Sequence, residues 1–222
     1  MWIPIMAYRE TDNVRARKAA QRDHLLHSAE QLVRQGGFAN LTMQTLASQA
    51  GVGVGTLYRY FENKPVLAAE VFRVATEREV AAVADAMTLH GNFARRLTHV
   101  LETFVRRAQV APKLAWSLIA EPVDPAVDAE RLIYRQRYAE LYEQFLAEGV
   151  RLGELPEQDT AVTAAAMVGA IAEALVGPLS EPLPKSGLAE SLTQFCLRAI
   201  GARCETASAD SSRQPQSLHK TA

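Results

Sequence analysis

Apolar residues recur along this 222-residue chain at three- and four-residue steps, the spacing of one helix face, and the elements they predict are all helices. Leu25, Leu26, Ala29, Leu32 and Val33 mark a first amphipathic helix from about residue 14, stopped by Gly36 and Gly37. Leu46, Ala47 and Ala50 mark a short second helix over 43–50. Thr42 is placed to cap it, while Thr45 occupies the position where a capping box would want Glu or Gln. Gly51 is predicted to take the left-handed conformation that reverses the chain, with Val52 tucked into the angle that follows. A third helix comes at once, and its inward pair Leu57 and Phe61 leaves Thr56, Tyr58, Arg59 and Tyr60 on the remaining sides.

Asn63 caps the next helix, with Pro65 in a first turn where a missing N–H costs little; Leu67, Val71, Val74 and Ala75 carry it to about residue 87. Further helices are predicted over 93–110, with Leu97, Leu101, Phe104 and Val105 inward, and over 114–120. A long one over 127–152 has the inner stripe Tyr134, Tyr138, Leu141, Tyr142 and Phe145, and two more fall at about 159–178 and 188–200. Pro112, Pro122, Pro125, Gly153 and Pro156 punctuate them. The pattern gives an all-α chain: an N-terminal three-helix domain over 1–64 with a helix-turn-helix at about 43–61, a larger helical domain over 65–204, and a Ser/Thr/Ala/Gln-rich tail over 205–222 expected to be disordered. Residues up to about 13 are expected to form a poorly ordered arm. The helix that starts at residue 64 continues directly from the third, so a lever rather than a flexible linker joins the two domains.

Charge sharpens this picture only through its distribution. The total is 24 basic against 25 acidic residues, but residues 1–64 hold eight basic and five acidic side chains, leaving 16 and 20 for the rest. A positive end on an acidic protein suits contact with phosphate at that end. Arg15, Arg17, Lys18 and Arg22 crowd the start of the first helix, where the dipole does not favour cations, so an anionic partner accounts for them. The two cysteines, Cys196 and Cys204, lack metal-binding spacing and suit a reducing cytoplasm. Residues 1–7 are too short and lack the flanks of a secretory signal. The weakly polar run over 160–180 is Ala-rich and broken by Gly169, Glu173, Gly177 and Pro178, which argues against a membrane span.

Catalytic signatures are sparse. His24 and His27 share a helical face without a third ligand, and Gly51-x-Gly53-x-Gly55 has no strand before it to make a phosphate loop. No catalytic residue, cofactor or metal is expected. The competing reading is a helical enzyme or metal-binding bundle that does not bind DNA.

The outward groups of the third helix, by contrast, suit a DNA major groove: Thr56, Tyr58, Arg59 and Tyr60 can reach phosphates or base edges, and an aromatic edge can rest on a thymine methyl. Gly36, Gly37, Phe38, Thr42, Ala50-Gly51-Val52 and above all Gly55-Thr56-Leu57-Tyr58-Arg59-Tyr60-Phe61 followed by Asn63-Lys64 resemble the tetracycline-repressor (TetR) family of bacterial transcription regulators. The resemblance covers about the first third of the chain. It departs at Gly53 and Val54, where members commonly carry a Ser and a basic residue, leaving Val54 a thymine methyl as its contact.

The resemblance implies a ligand-responsive regulator, most simply a cytoplasmic repressor released from a palindromic operator. DNA contacts are expected from Thr42, Gln44, Val54, Gly55, Thr56, Tyr58, Tyr60 and Lys64, with Arg17, Lys18 and Arg59 adding backbone attraction. The positions matching Thr42, Tyr58 and Lys64 serve phosphates in the family. The family also implies a homodimer through its two C-terminal helices. Ala164, Ala165, Ala166, Gly169 and Ala170 would permit close approach there, and Leu192, Phe195 and Ile200 would supply apolar area. A small apolar or aromatic effector is expected in a pocket walled by Phe104, Trp116, Leu118, Tyr134, Tyr138 and Met167. Glu173, a lone charge in an apolar helix, is expected to serve the subunit interface or a ligand.

Overall fold

The computed structural model describes residues 12–180 and 186–202, and every regular element among them is helical. Helix α1 (Asp12–Gly36) leads through a 3-10 turn (Phe38–Asn40) to α2 (Met43–Ala50), α3 (Val54–Leu57) and α4 (Lys64–Met87). Then come α5 (Phe93–Val110), α6 (Pro112–Ile119), α7 (Pro125–Arg151), α8 (Thr160–Ser180) and α9 (Leu188–Ala199). The arm expected before the first helix and the tail over 205–222 lie outside the described residues, except that Asp12 and Asn13 are already helical. Asp12 favours that early start, because its carboxylate complements the helix dipole and pairs with Arg15 at 2.6 Å.

Prolines open helices here more than they end them. Pro112 and Pro125 stand in the first turns of α6 and α7, where the ring suits the backbone and the absent N–H has no partner to lose. Both helices therefore begin two residues earlier than the apolar pattern places them. Pro178 sits inside α8, which runs on to Ser180.

Two apolar cores both draw on α4 and on α7. The first is built on Leu25, Ala29 and Val33 of α1, Leu46 of α2, Leu57 and Phe61, and it takes in the stretch of α4 from Leu67 to Ala75. It also reaches into the larger domain through Leu114, Val127 and Tyr134. The second core joins Val83, Ala86 and Met87 of α4 to α5, α7, α8 and α9. Burying a Leu or Phe side chain contributes about 1.5–3 kcal/mol, so α4 is anchored at both ends by cores that each hold several such residues. A buried carboxylate reinforces the first anchor: Glu30 of α1 accepts from Arg34 at 3.1 Å and from Arg78 of α4 at 2.9 Å.

Candidate DNA-reading surface and internal cavity

The turn region is built by side chains too short to do much else. Thr45 N–H donates to Thr42 Oγ1 at 3.0 Å, and Thr42 N–H donates back to Thr45 Oγ1 at 2.9 Å, a capping box closed by two threonines. Thr45 succeeds where a Glu was expected because its hydroxyl is close enough to serve both Thr42 N–H and the Asn40 carbonyl, the latter at 3.0 Å. Gly51 adopts φ 65°, ψ 34°, and the N–H of Val52 closes on the Ala47 carbonyl at 3.0 Å. Gly53 offers no capping side chain, and α3 is regular only over Val54–Leu57 before passing into a turn. Leu57 and Phe61, both fully buried, pin that segment to the core.

With those two inward, Gln44, Gly55, Tyr58, Arg59 and Lys64 are exposed, while Thr42, Val54, Thr56 and Tyr60 are half-buried. Tyr58 is 55% exposed, unusual for an aromatic ring with a core close at hand. Arg17 and Lys18 lie exposed on α1, and Lys18, Arg22, Arg59 and Tyr60 line one notch, so the start of α1 and the reading segment form a continuous basic face. Arg22 has a structural duty as well: it is ion-paired with Glu70 and its guanidinium lies 5.4 Å from the centre of the Phe61 ring. Arg15 is likewise held by Asp12. His24 and His27 are exposed, and among the described residues no three His, Cys, Asp or Glu side chains converge as a metal site requires.

In the larger domain, α4 to α8 enclose a cavity of about 340 Å³. Phe72, Thr76, Glu79 and Val83 face it from α4, at steps of three and four. Phe104 from α5, Leu114 and Leu118 from α6, Tyr134, Tyr138 and Tyr142 from α7, and Ile171 from α8 complete the walls. Four of the six residues proposed from sequence, Phe104, Leu118, Tyr134 and Tyr138, therefore stand together, with the rings of Phe104 and Tyr138 edge-on at 6.3 Å. Trp116 and Met167 are elsewhere. The inward face of α6 is Leu114, Ala115, Leu118 and Ile119, which turns Trp116 away beneath the ammonium of Lys113 at 4.3 Å; on α8 the cavity takes Val168, Ile171 and Ala172 while Met167 points into the core.

The cavity rim holds charges that the apolar periodicity did not reveal: Arg34, Arg106, Arg107, Arg131 and Arg135, with Glu79 opposite. Arg107 clasps Glu79 through two bonds, of 2.7 and 2.8 Å. Arg131 donates to the carbonyls of Leu118 at 3.1 Å and Glu121 at 2.8 Å and lies 6.0 Å from the centre of the Phe72 ring. Burial pulls its proton affinity down, against the pull of Asp128. Burial, then a 2.7 Å bond to Glu77, pushes the Tyr134 phenol up to about 12; burial also raises Tyr138 and Tyr142, so all three hydroxyls stay protonated at neutral pH.

The loop after α6 ties the cavity to the reading domain. Glu121, 5% exposed, accepts the N–H of Phe38 at 2.9 Å and of Ala39 at 3.2 Å, capping the 3-10 turn from outside its own domain. Gly37 makes room for it. A Cβ there would lie 2.6 Å from the carboxylate, and the φ of 77° suits Gly alone.

At the C-terminal end, α8 exposes Val162, Ala165, Ala166, Gly169, Glu173 and Gly177, and α9 exposes Phe195. The other residues expected to supply a dimer surface are spent inside the chain: Ala164, Leu192 and Ile200 are buried in the second core, and Ala170 is half-buried. α8 is long and apolar enough to cross a membrane by length and composition, and 28% of its most apolar window is buried. Cys196 is fully buried, and burial pushes its thiol up to about 11, away from reactivity.

Comparison with known proteins agrees with this geometry. A family model described as bacterial regulatory proteins, tetR family, matches residues 25–71, from mid-α1 through the helix-turn-helix into α4. The repressor NemR of Escherichia coli K12, an HTH-type transcriptional repressor, is 32% identical over 117 residues, which are 48% of this chain and 56% of that protein, so the match spans about half of the relative's length. Among solved structures, FadR of Bacillus subtilis in complex with stearoyl-CoA superposes with a TM-score of 0.70 at 18% identity, covering 80% of this chain and 98% of that one. The reduced form of E. coli NemR superposes with a TM-score of 0.70 at 17% identity over 83% and 98%. The helix-turn-helix pinned by Leu57 and Phe61 thus lies within the stretch that matches the tetR family of bacterial regulatory proteins, and the all-helical fold is shared with these solved structures over about four fifths of this chain.

Proposed function

We propose that this protein is a cytoplasmic, ligand-responsive transcription regulator, a homodimeric repressor that leaves a palindromic operator when a small, largely apolar or aromatic molecule fills its cavity. The observation that carries this is the course of α4. Its first residue, Lys64, is exposed three positions after the buried Phe61 that ends the reading segment, and Phe72, Thr76, Glu79 and Val83 farther along line the cavity. One continuous helix thus runs from the proposed reading segment to the cavity wall. A ligand that prefers the conformer with the reading helices wrongly spaced releases DNA, and a tenfold loss of affinity needs about 1.4 kcal/mol of such preference.

Tyr58 and Lys64 are assigned to phosphate, with Thr42, Gln44, Val54, Gly55, Thr56 and Tyr60 toward the groove and Arg17, Lys18 and Arg59 adding attraction to the backbone. The dimer face is the small-residue stripe of α8 with Phe195 of α9. Alanine and glycine there suit close approach of another helix, and Glu173 in mid-stripe favours a protein partner at its edge over lipid. Two-fold symmetry then sets the reading segments about 34–36 Å apart. Two structural neighbours carry small molecules, stearoyl-CoA in FadR and resorcinol in RolR, in keeping with a ligand-binding larger domain. The deciding test is a mobility-shift screen of the full chain against the DNA upstream of its own gene; no retarded fragment at low salt overturns the reading.

A further inference from the structure

The charges around the cavity are one-sided. Five arginines line it against a single acid, Glu79, and that acid is already clasped by Arg107. Arg34 is engaged by Glu30, and Arg131 by Asp128 and three backbone carbonyls. Arg106 and Arg135 are left with no ion pair or hydrogen bond among the described residues, and Arg135 lies near enough to Arg131 to be repelled by it. A second feature is independent of charge. Thr76, 5% exposed and on the α4 wall, has a buried hydroxyl with no hydrogen-bond partner among the described residues, which costs free energy unless something supplies one.

Taking the regulator reading as its basis, we propose that the effector is an acidic amphiphile, its apolar body held by the cavity walls and its carboxylate or phosphate met by Arg106 and Arg135. The Thr76 hydroxyl bonds a polar atom of the same ligand. A neutral molecule of equal shape leaves two like charges at the rim uncompensated, and a cation adds a third, so the sign of the ligand's charge, more than its length, decides affinity. An organic anion also brings the acceptor oxygens that guanidinium groups bind with their paired donors.

The test is calorimetric titration of the full chain with octanoate, octyl phosphate, octanol and octylamine at neutral pH, in wild type, Arg106→Gln/Arg135→Gln and Thr76→Val. At least one anion is expected to bind about tenfold or more tighter than octanol, the weight of one charge-assisted hydrogen bond, with octylamine weakest. The comparison of octanoate with octyl phosphate separates a carboxylate from a phosphate head. The double variant, altered at two exposed side chains, is expected to melt as wild type does and to erase the preference while keeping octanol binding; Thr76→Val is expected to weaken the anion severalfold. Octanol or octylamine binding as tightly as both anions, or a double variant that keeps the preference, overturns the proposal. A neutral compound that releases DNA while no anion binds also overturns it and leaves the regulator reading intact. Failure of the untreated protein to bind DNA overturns the regulator reading instead.

Discussion

The carboxylate of Glu121 accepts the backbone N–H of Phe38 at 2.9 Å, joining residues 83 positions apart and fixing the end of the cavity-lining helix α6 to the turn that precedes the reading helices. The same stretch is held from behind by Arg131, which donates to the Leu118 and Glu121 carbonyls while lining the cavity. Leu118 and Arg131, both on the cavity wall, are thereby linked through the Glu121 loop to the turn before α2.

Replacing Glu121 by Ala leaves two N–H groups near the domain junction without their acceptor. A loss of about 1–3 kcal/mol in urea melts is expected for such groups, together with a smaller change of operator affinity on effector binding. An unchanged ratio of affinities with and without effector would show that the signal travels by α4 only.

Lys64 is exposed and at the start of α4, so Lys64→Ala is expected to leave the melt unchanged and to weaken binding to all DNA sequences alike. Fluorescence anisotropy across a salt series should show a slope reduced by about one. An unaltered slope removes Lys64 from the phosphate contacts.

Leu118 lines the cavity from α6, and Leu118→Trp fills it. Release of operator DNA is to be compared across aromatic and fatty compounds. Any compound that releases the wild-type protein should lose at least about tenfold in potency, since overpacking costs roughly 1–3 kcal/mol. A filled variant that responds as well as wild type puts the effector site elsewhere.

Gly169 lies on the exposed stripe of α8, and a Cβ built there meets nothing within 4 Å, so Gly169→Glu keeps the protomer folded. Sedimentation at micromolar concentration should give a dimer for wild type and a monomer for the variant, because a desolvated charge is costly at a close-packed helix crossing. A wild-type monomer refutes the dimer.

Glu30 supplies a pH test. Burial pushes its carboxyl up, but Arg78 and then Arg34 outweigh that and hold it below its ordinary value of 4.5. A depressed folded value means the stabilisation is complete above 4.5 and disappears as pH falls through the folded value. Urea midpoints of wild type should drop more steeply below that point than those of Glu30→Gln, which is less stable at neutral pH. Parallel curves would show that the bridge between α1 and α4 adds nothing.

Much of the fold was legible because helix periodicity is a local property: Leu57 and Phe61 are four apart, and that spacing alone turns Tyr58 and Arg59 outward. Gly51 and Asn63 likewise act on their own neighbours. The cavity was half legible. Aromatic residues on a helix stripe can be nominated from sequence, but Trp116 and Met167 show that a shift of one or two positions turns a side chain away. The apolar stripes also marked too much surface as available for pairing, since Leu192 and Ile200 serve the chain's own core.

The all-helical class, the capped helix-turn-helix and its outward Tyr58, Arg59 and Lys64 all follow from contacts within a turn or two. Tertiary structure decided what depends on partners far along the chain. Glu121 in isolation reads as a solvated charge, and only the fold brings it to Phe38. The five arginines of the rim come from α1, α5 and α7, and it is the packing around α4 that buries the Thr76 hydroxyl without a partner among the described residues. The physical reason is the range of the forces: backbone preference and side-chain spacing act over a few residues, whereas burial and charge compensation are set by whichever helices meet in space.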